Sequence, residues 1–201
     1  MNNKKLLLRI AIILSIIIGL ILTFGSKHYS FIKTITTFTV VCNIIALIFY
    51  IPYLLATKKG KDDNYHPWIF YVVMMALVLT FMISNTVLME LYFEGNTMFA
   101  VGLIFLHIIS PLLIVLDYVA TDSVHDIKLH YFITGLLPTL CYTLTLIGLQ
   151  VLLPGSIKSP YFFFDVSKYG LLGVSRNLGI ISLVYTPTSF LLYKIKQIKK
   201  S

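Results

Sequence analysis

Acidic side chains are scarce in this chain: eight Asp and Glu among 201 residues, against sixteen Lys and Arg, with all charged residues together at 12%. So little charge, with 58% hydrophobic residues and a mean hydropathy of +0.89, excludes a water-soluble domain of this size, which needs a charged surface. Cysteine is nearly absent. Cys42 and Cys141 both fall within long apolar runs, which argues against a disulfide framework or a zinc site and leaves them as small buried apolar side chains. A Walker loop, a dinucleotide fingerprint, an HExxH pair and a G-x-S-x-G elbow are all missing. The expectation is therefore no cofactor and no metal.

Apolar length is what the chain does have. The hydrocarbon core of a bilayer is about 30 Å thick and a helix rises about 1.5 Å per residue, so roughly 20 apolar residues cross it. Six runs qualify: Leu6–Phe24, Ile32–Leu55, Trp68–Leu88, Met98–Val119, Tyr131–Leu153 and Leu171–Tyr193. Continuous runs rather than short alternating strands argue against a β-barrel. The expected fold is an all-α membrane protein, a six-transmembrane-helix bundle forming a single integral domain over residues 1–201. Pro52, Pro111, Pro138 and Pro187 each remove a helix hydrogen bond inside a run, so kinks are expected there.

Short loops let the Lys/Arg bias set orientation. With the N-terminus cytoplasmic, that side carries Lys4, Lys5, Arg9, Lys58, Lys59, Lys61, Lys128, Lys194, Lys196, Lys199 and Lys200. The opposite side keeps Lys27, Lys33, Lys158, Lys168 and Arg176. This bias and the even number of spans agree on both termini being cytoplasmic. The loop at Glu90 and Glu94 then lies outside, while Asp117, Asp122 and Asp126 fall in a solvated cytoplasmic loop and its helix flank. The net charge of +8 thus serves orientation and anionic lipid head groups, with the lipid bilayer as partner and no nucleic acid. The Lys194–Lys200 tail reads as a membrane anchor. Asn2-Asn3-Lys4-Lys5 has the charge of a signal-peptide n-region, but the run behind it is long and lacks a small-x-small site, so it reads as an uncleaved span.

Ionisable groups at membrane depth cost several kcal/mol unless they face a cavity or a partner. His107 lies about 9 residues inside the outer end of the fourth run, roughly 13 Å deep. Thr36, Thr39 and Asn43 recur at i, i+3 and i+7 of the second run, on one helical face, with Thr39 roughly 10 Å deep. Ser84, Asn85, Arg176 and Asn177 belong to the same outer layer. A threonine hydroxyl needs a base to act as a nucleophile, and imidazole suits that work. Amide or guanidinium donors can hold an oxyanion or a substrate carboxylate, which makes Asn43, Asn85 and Arg176 the candidate substrate contacts. Spacing alone leaves the bland alternative open: a threonine bonded to its own i−4 carbonyl and a histidine bonded to a neighbouring helix. His28, His66, His125 and His130 lie in loops or at helix ends without ligand spacing. Residues 159–170, SPYFFFDVSKYG, admit two readings: an interfacial aromatic belt, or a lid over an opening between helices.

Three segments in order, FTVVCNIIA from Phe38 to Ala46, LHIISPLLIVLD from Leu106 to Asp117 and YFFFDVSKYG from Tyr161 to Gly170, together with the span count, resemble the androgen-induced protein family. The likeness covers nearly the whole chain and is nearest to the family's bacterial membrane branch, which implies a multi-pass protein of a bacterial plasma membrane. Animal members are membrane hydrolases that cleave fatty acid esters of hydroxy fatty acids with an intramembrane Thr and a His. The resemblance implies Thr39 as nucleophile, His107 as its partner and a fatty-acyl ester as substrate, with Thr36 and Thr37 as alternatives to Thr39. Two function classes are open, an intramembrane lipid-ester hydrolase and a small carrier or lipid-binding protein using the same polar layer. A third is a structural subunit whose polar residues only join helices.

Overall fold

A computed structural model describes residues 3–62, 65–92, 96–120, 128–153 and 159–198. Glu94, Asp122, His125, Asp126, Lys158, Lys199 and Lys200 lie outside these residues. Helices dominate, with no strand among the described residues. Six helical stretches are long and apolar enough to cross a membrane: Asn3–Gly25, Phe38–Lys58, Pro67–Thr86, Thr97–Ala120, Tyr131–Leu152 and Val166–Ile198. They coincide with the six apolar runs, and three of them are broken in ways that matter for the site.

The first, third and sixth stretches are α1 (Asn3–Gly25), α4 (Pro67–Thr86) and α9 (Val166–Ile198), the last bent at Gly170, where φ is +62°. The second run divides into α2 (Phe31–Ile35) and α3 (Phe38–Lys58). Thr36 and Thr37 turn their hydroxyls onto the carbonyls of Ile32 (2.9 Å) and Thr34 (2.8 Å), a local bonding that competes with helix continuation. Thr37 then takes up extended backbone and becomes the N-cap of α3. The expected stripe through Thr36, Thr39 and Asn43 is cut by this break: Thr36 is exposed, while Thr39 and Asn43 stay together on a buried face.

The fourth run comprises α5 (Thr97–Ile104), a π-helical turn (Phe105–Ile109) and α6 (Ser110–Ala120). Pro111 has no N–H to offer the carbonyl of His107 four residues back. The Ser110 N–H reaches past its usual acceptor to Phe105 O, five residues back, and the helix widens there. The fifth run splits into α7 (Tyr131–Thr134) and α8 (Leu137–Leu152). Pro138 does not kink it, because the proline occupies the first turn of α8, where the missing N–H is not needed.

α4 is the central helix, the most buried of the six spans, and α9 is the least buried. α1 lies tightly against the fourth run: a Cβ on Gly102 would stand 2.8 Å from the Thr23 nitrogen, and one on Gly19 2.6 Å from Leu106. Close approach through small residues is how membrane helices gain packing energy without a hydrophobic drive between them. The outward faces of α8 and α9 carry exposed Leu144, Leu152, Leu172 and Leu183, as lipid contact requires. Cys42 is buried as expected, but Cys141 points outward on α8 and is exposed.

Two expectations about charge are corrected. Asp117 is not a solvated flank residue; it has no solvent exposure, and neither does Arg9. Arg9 donates to Asp117 (3.4 Å), Asp62 (2.8 Å), Tyr53 (2.7 Å) and Thr57, and Tyr50 donates to Asp117 (3.2 Å). The flank reading fails because Arg9 on α1 meets Asp117 on α6 inside the bundle, and a paired charge can be buried where a lone one cannot. Lys196 is likewise not a free anchor: its buried ammonium donates to the Tyr118 carbonyl at 2.9 Å. Arg9 and Lys196 thus bring α1 and α9 to the same end of the bundle, beside the end of α6.

Candidate functional site

Thr39 is the second residue of α3, directly after the Thr36-Thr37 break. Its hydroxyl lies 2.9 Å from Nε2 of His107, which the π turn carries on the facing helix. Both residues are buried. Asn43, one turn along α3, donates from its amide to Thr39 O (2.8 Å) and Leu106 O (3.3 Å). The second of these is a carbonyl that an ordinary α-helix would have used on Ser110, so the π turn and Asn43 together fix α3 against the histidine. Either atom can donate in this contact; a base role needs Nε2 to accept from Thr39, with the imidazole proton on Nδ1.

Two cavities meet at this pair. A narrow slot of about 20 Å3 is bordered by Phe38, Thr39, Leu79, Ile83, Thr139 and Thr143 among others. A wider cavity of about 370 Å3 is bordered by Thr39, His107, Thr23, Leu103, Lys33 and Asp165 among others. Thr39, Leu88 and Tyr161 border both. His107 borders only the wide one.

The aromatic stretch folds inward over these cavities. Tyr161, Phe163 and Phe164 are buried and only Phe162 faces out, so the half-wet belt is not what forms; the segment is a cover. Gln150 holds it by donating to Phe164 O (3.0 Å) and accepting from Val166 N (3.1 Å), and Asn177 donates to Phe163 O (2.8 Å). Burial pushes the Tyr161 hydroxyl up to about 12 against the pull of the neighbouring Thr39 hydroxyl and the first amides of α3, so it stays protonated at neutral pH. At the rim, the Asp165 carboxyl accepts from the Ser167 hydroxyl (2.6 Å) and backbone (2.9 Å), which holds it below the usual carboxylate range.

No family model, curated protein or solved structure matches the chain. The site therefore rests on its own geometry.

Of the candidate residues, Thr39, His107 and Asn43 are brought together, although Asn43 borders neither cavity and acts on the backbone around them. Asn85 is half-buried and donates to Phe81 O (2.7 Å) in its own helix. Arg176 is exposed and borders neither cavity; its neighbour Asn177 is the residue that reaches the cover. Thr37 borders the wide cavity, but its hydroxyl is committed to Thr34 O. Thr139, Thr143 and Gln150 are site residues missed in the sequence. They recur at i, i+4 and i+11 of α8 and, with Leu146, make up its buried face, so a polar stripe in the fifth run was the signal.

Proposed function

We propose that this chain is an intramembrane ester hydrolase of the androgen-induced protein kind, with Thr39 as nucleophile and His107 as general base. The observation that carries the reading is the 2.9 Å contact between the Thr39 hydroxyl and His107 Nε2, held at the meeting point of two cavities. His107 Nε2 takes the hydroxyl proton as Thr39 Oγ1 bonds to the acyl carbon. The Phe38 and Thr39 amides of α3, which no residue within the helix can use and which the Tyr161 hydroxyl faces, become donors to the oxyanion once substrate displaces that hydroxyl. The acyl–oxygen bond breaks as His107 returns that proton to the departing alcohol. Water then attacks the acyl-threonine, giving one proton to His107 and passing it to Thr39 Oγ1, and a carboxylic acid leaves. The Lys/Arg bias supports a plasma-membrane orientation with both termini cytoplasmic and the site opening outward.

The wide cavity favours a second reading, a lipid carrier, because its volume suits a bound ligand with no chemistry at all. The two separate on one hydroxyl. Purified protein treated with a fluorophosphonate lipid probe becomes labelled if it is a hydrolase, and Thr39→Ala and His107→Ala abolish the labelling while keeping the helical circular dichroism of the wild type. A folded wild-type protein that takes no label, yet binds a fluorescent lipid equally well with Thr39→Val, is a carrier.

A further inference from the structure

The two cavities differ in size, polarity and access to the base, and these differences assign the two arms of the ester. In ester cleavage the departing alcohol must receive its proton from the base. Since His107 borders the wide cavity and not the slot, the alcohol arm belongs in the wide cavity. The acyl arm, on the far side of the carbonyl from the alcohol, is left with the slot, which also borders Thr39. We infer, resting on the hydrolase reading, that the slot is an acyl pocket for short chains and that this protein removes small acyl groups from bulky, polar alcohols. The slot's 20 Å3 is about the space of one water-sized group. A long chain does not fit the slot as it stands, so the acyl group inferred here departs from the fatty-acyl ester implied by the family resemblance. Leu79 and Ile83 of α4 wall the slot. Thr139 and Thr143 stand on another wall, and their buried hydroxyls have no hydrogen-bond partner among the described residues. An unpaired buried hydroxyl is destabilising, so a bare hydrocarbon leaves these two unsatisfied while an acyl group carrying an oxygen does not. The wide cavity, by contrast, has the volume of a small-molecule site and charged Lys33 and Asp165 at its edge, suited to an alcohol with a polar head group.

Methylumbelliferyl esters of acetate, butanoate, dodecanoate and hexadecanoate, hydrolysed by full-length protein in detergent with the Thr39→Ala rate subtracted, test the assignment. The expected result is that acetate turns over about tenfold or more faster than dodecanoate, with butanoate between them. Widening the slot with Leu79→Ala plus Ile83→Ala then raises the dodecanoate-to-acetate rate ratio by about tenfold or more, a ratio that partial misfolding does not move. Thr39-dependent hydrolysis that favours dodecanoate, or a ratio unmoved by the double variant, overturns the slot assignment and leaves the hydrolase standing. Absence of Thr39-dependent hydrolysis on every ester overturns both.

Discussion

Arg9 shows what one side chain does when its charge is taken fully out of solvent. Its guanidinium lies 3.7 Å from the centre of the Tyr53 ring and binds carboxylates from α6 and from the turn after α3. Breaking a buried pair costs about 3–5 kcal/mol, because the survivor keeps a charge without its partner. Asp117→Leu is therefore expected to destabilise on that scale, and so is Arg9→Met, since it leaves Asp117 buried beside Tyr50 without its cation. The double variant Arg9→Met/Asp117→Leu recovers part of the loss, with Asp62 retaining Lys5 at 3.9 Å. Thermal unfolding in detergent, arranged as a double-mutant cycle, measures this; additive losses would show that the two residues are not coupled. Residues of this kind divide sharply in how legible they are. Thr39 and His107 stand out because they are polar, inside apolar runs and at matching depth. Arg9 and Asp117 do not, because a charge near the end of a run reads equally well as a solvated flank. Arg176 shares the depth of the layer but faces outward, since depth comes from residue count and azimuth depends on how the helices pack.

Among the elements, the π turn decides where His107 points. A π turn adds one residue to a helical turn and rotates the next helical segment relative to an unbroken α-helix. Its cause lies in the sequence at Pro111, whose missing N–H frees the His107 carbonyl, while Asn43 takes the Leu106 carbonyl released with it. Pro111→Ala restores the donor and lets the turn tighten toward α-helix, drawing the imidazole off Thr39. A misplacement of about 1 Å can cost about a hundredfold in rate. The expected result is a fall of that order in probe labelling with unchanged helical circular dichroism, and full labelling would mean that packing on Gly19 holds the turn without the proline. Gly102→Ala on α5 tests that packing separately, because its Cβ would meet backbone of α1. Overpacking of this sort costs about 1–3 kcal/mol, readable as a lowered unfolding midpoint; an unchanged midpoint would show that α1 and α5 slide apart freely. The six spans were legible because hydropathy over roughly 20 residues reports burial in lipid regardless of backbone detail. The breaks at Thr36-Thr37 and before Pro138 were not, since local hydroxyl bonding and helix starts lie below the resolution of an apolar run.

At the scale of the whole molecule, the polarity of the bundle links orientation to chemistry. The ion cluster of Arg9, Asp62 and Asp117 gathers at the end where α1 begins and α3 and α6 finish, whereas Thr39 lies in the first turn of α3, toward the opposite end. Orientation therefore decides which compartment supplies water and substrate to the wide cavity. A Lys/Arg excess at the ion-cluster end is the pattern of a cytoplasmic face, so the expectation to test is that the cavity mouth lies outside. In a background of Cys42→Ala and Cys141→Ala, Lys59→Cys reports the first end and Thr86→Cys, at the finish of α4, the second; both native residues are exposed. A membrane-impermeant maleimide applied to intact cells expressing the protein is expected to modify Thr86→Cys directly and Lys59→Cys only after permeabilisation. The reverse pattern would turn the cavity toward the cytoplasm, and modification of both in intact cells would mean insertion in two orientations. Because Lys33 and Asp165 border the same cavity, the labelling also reports which side of the membrane that charged edge faces.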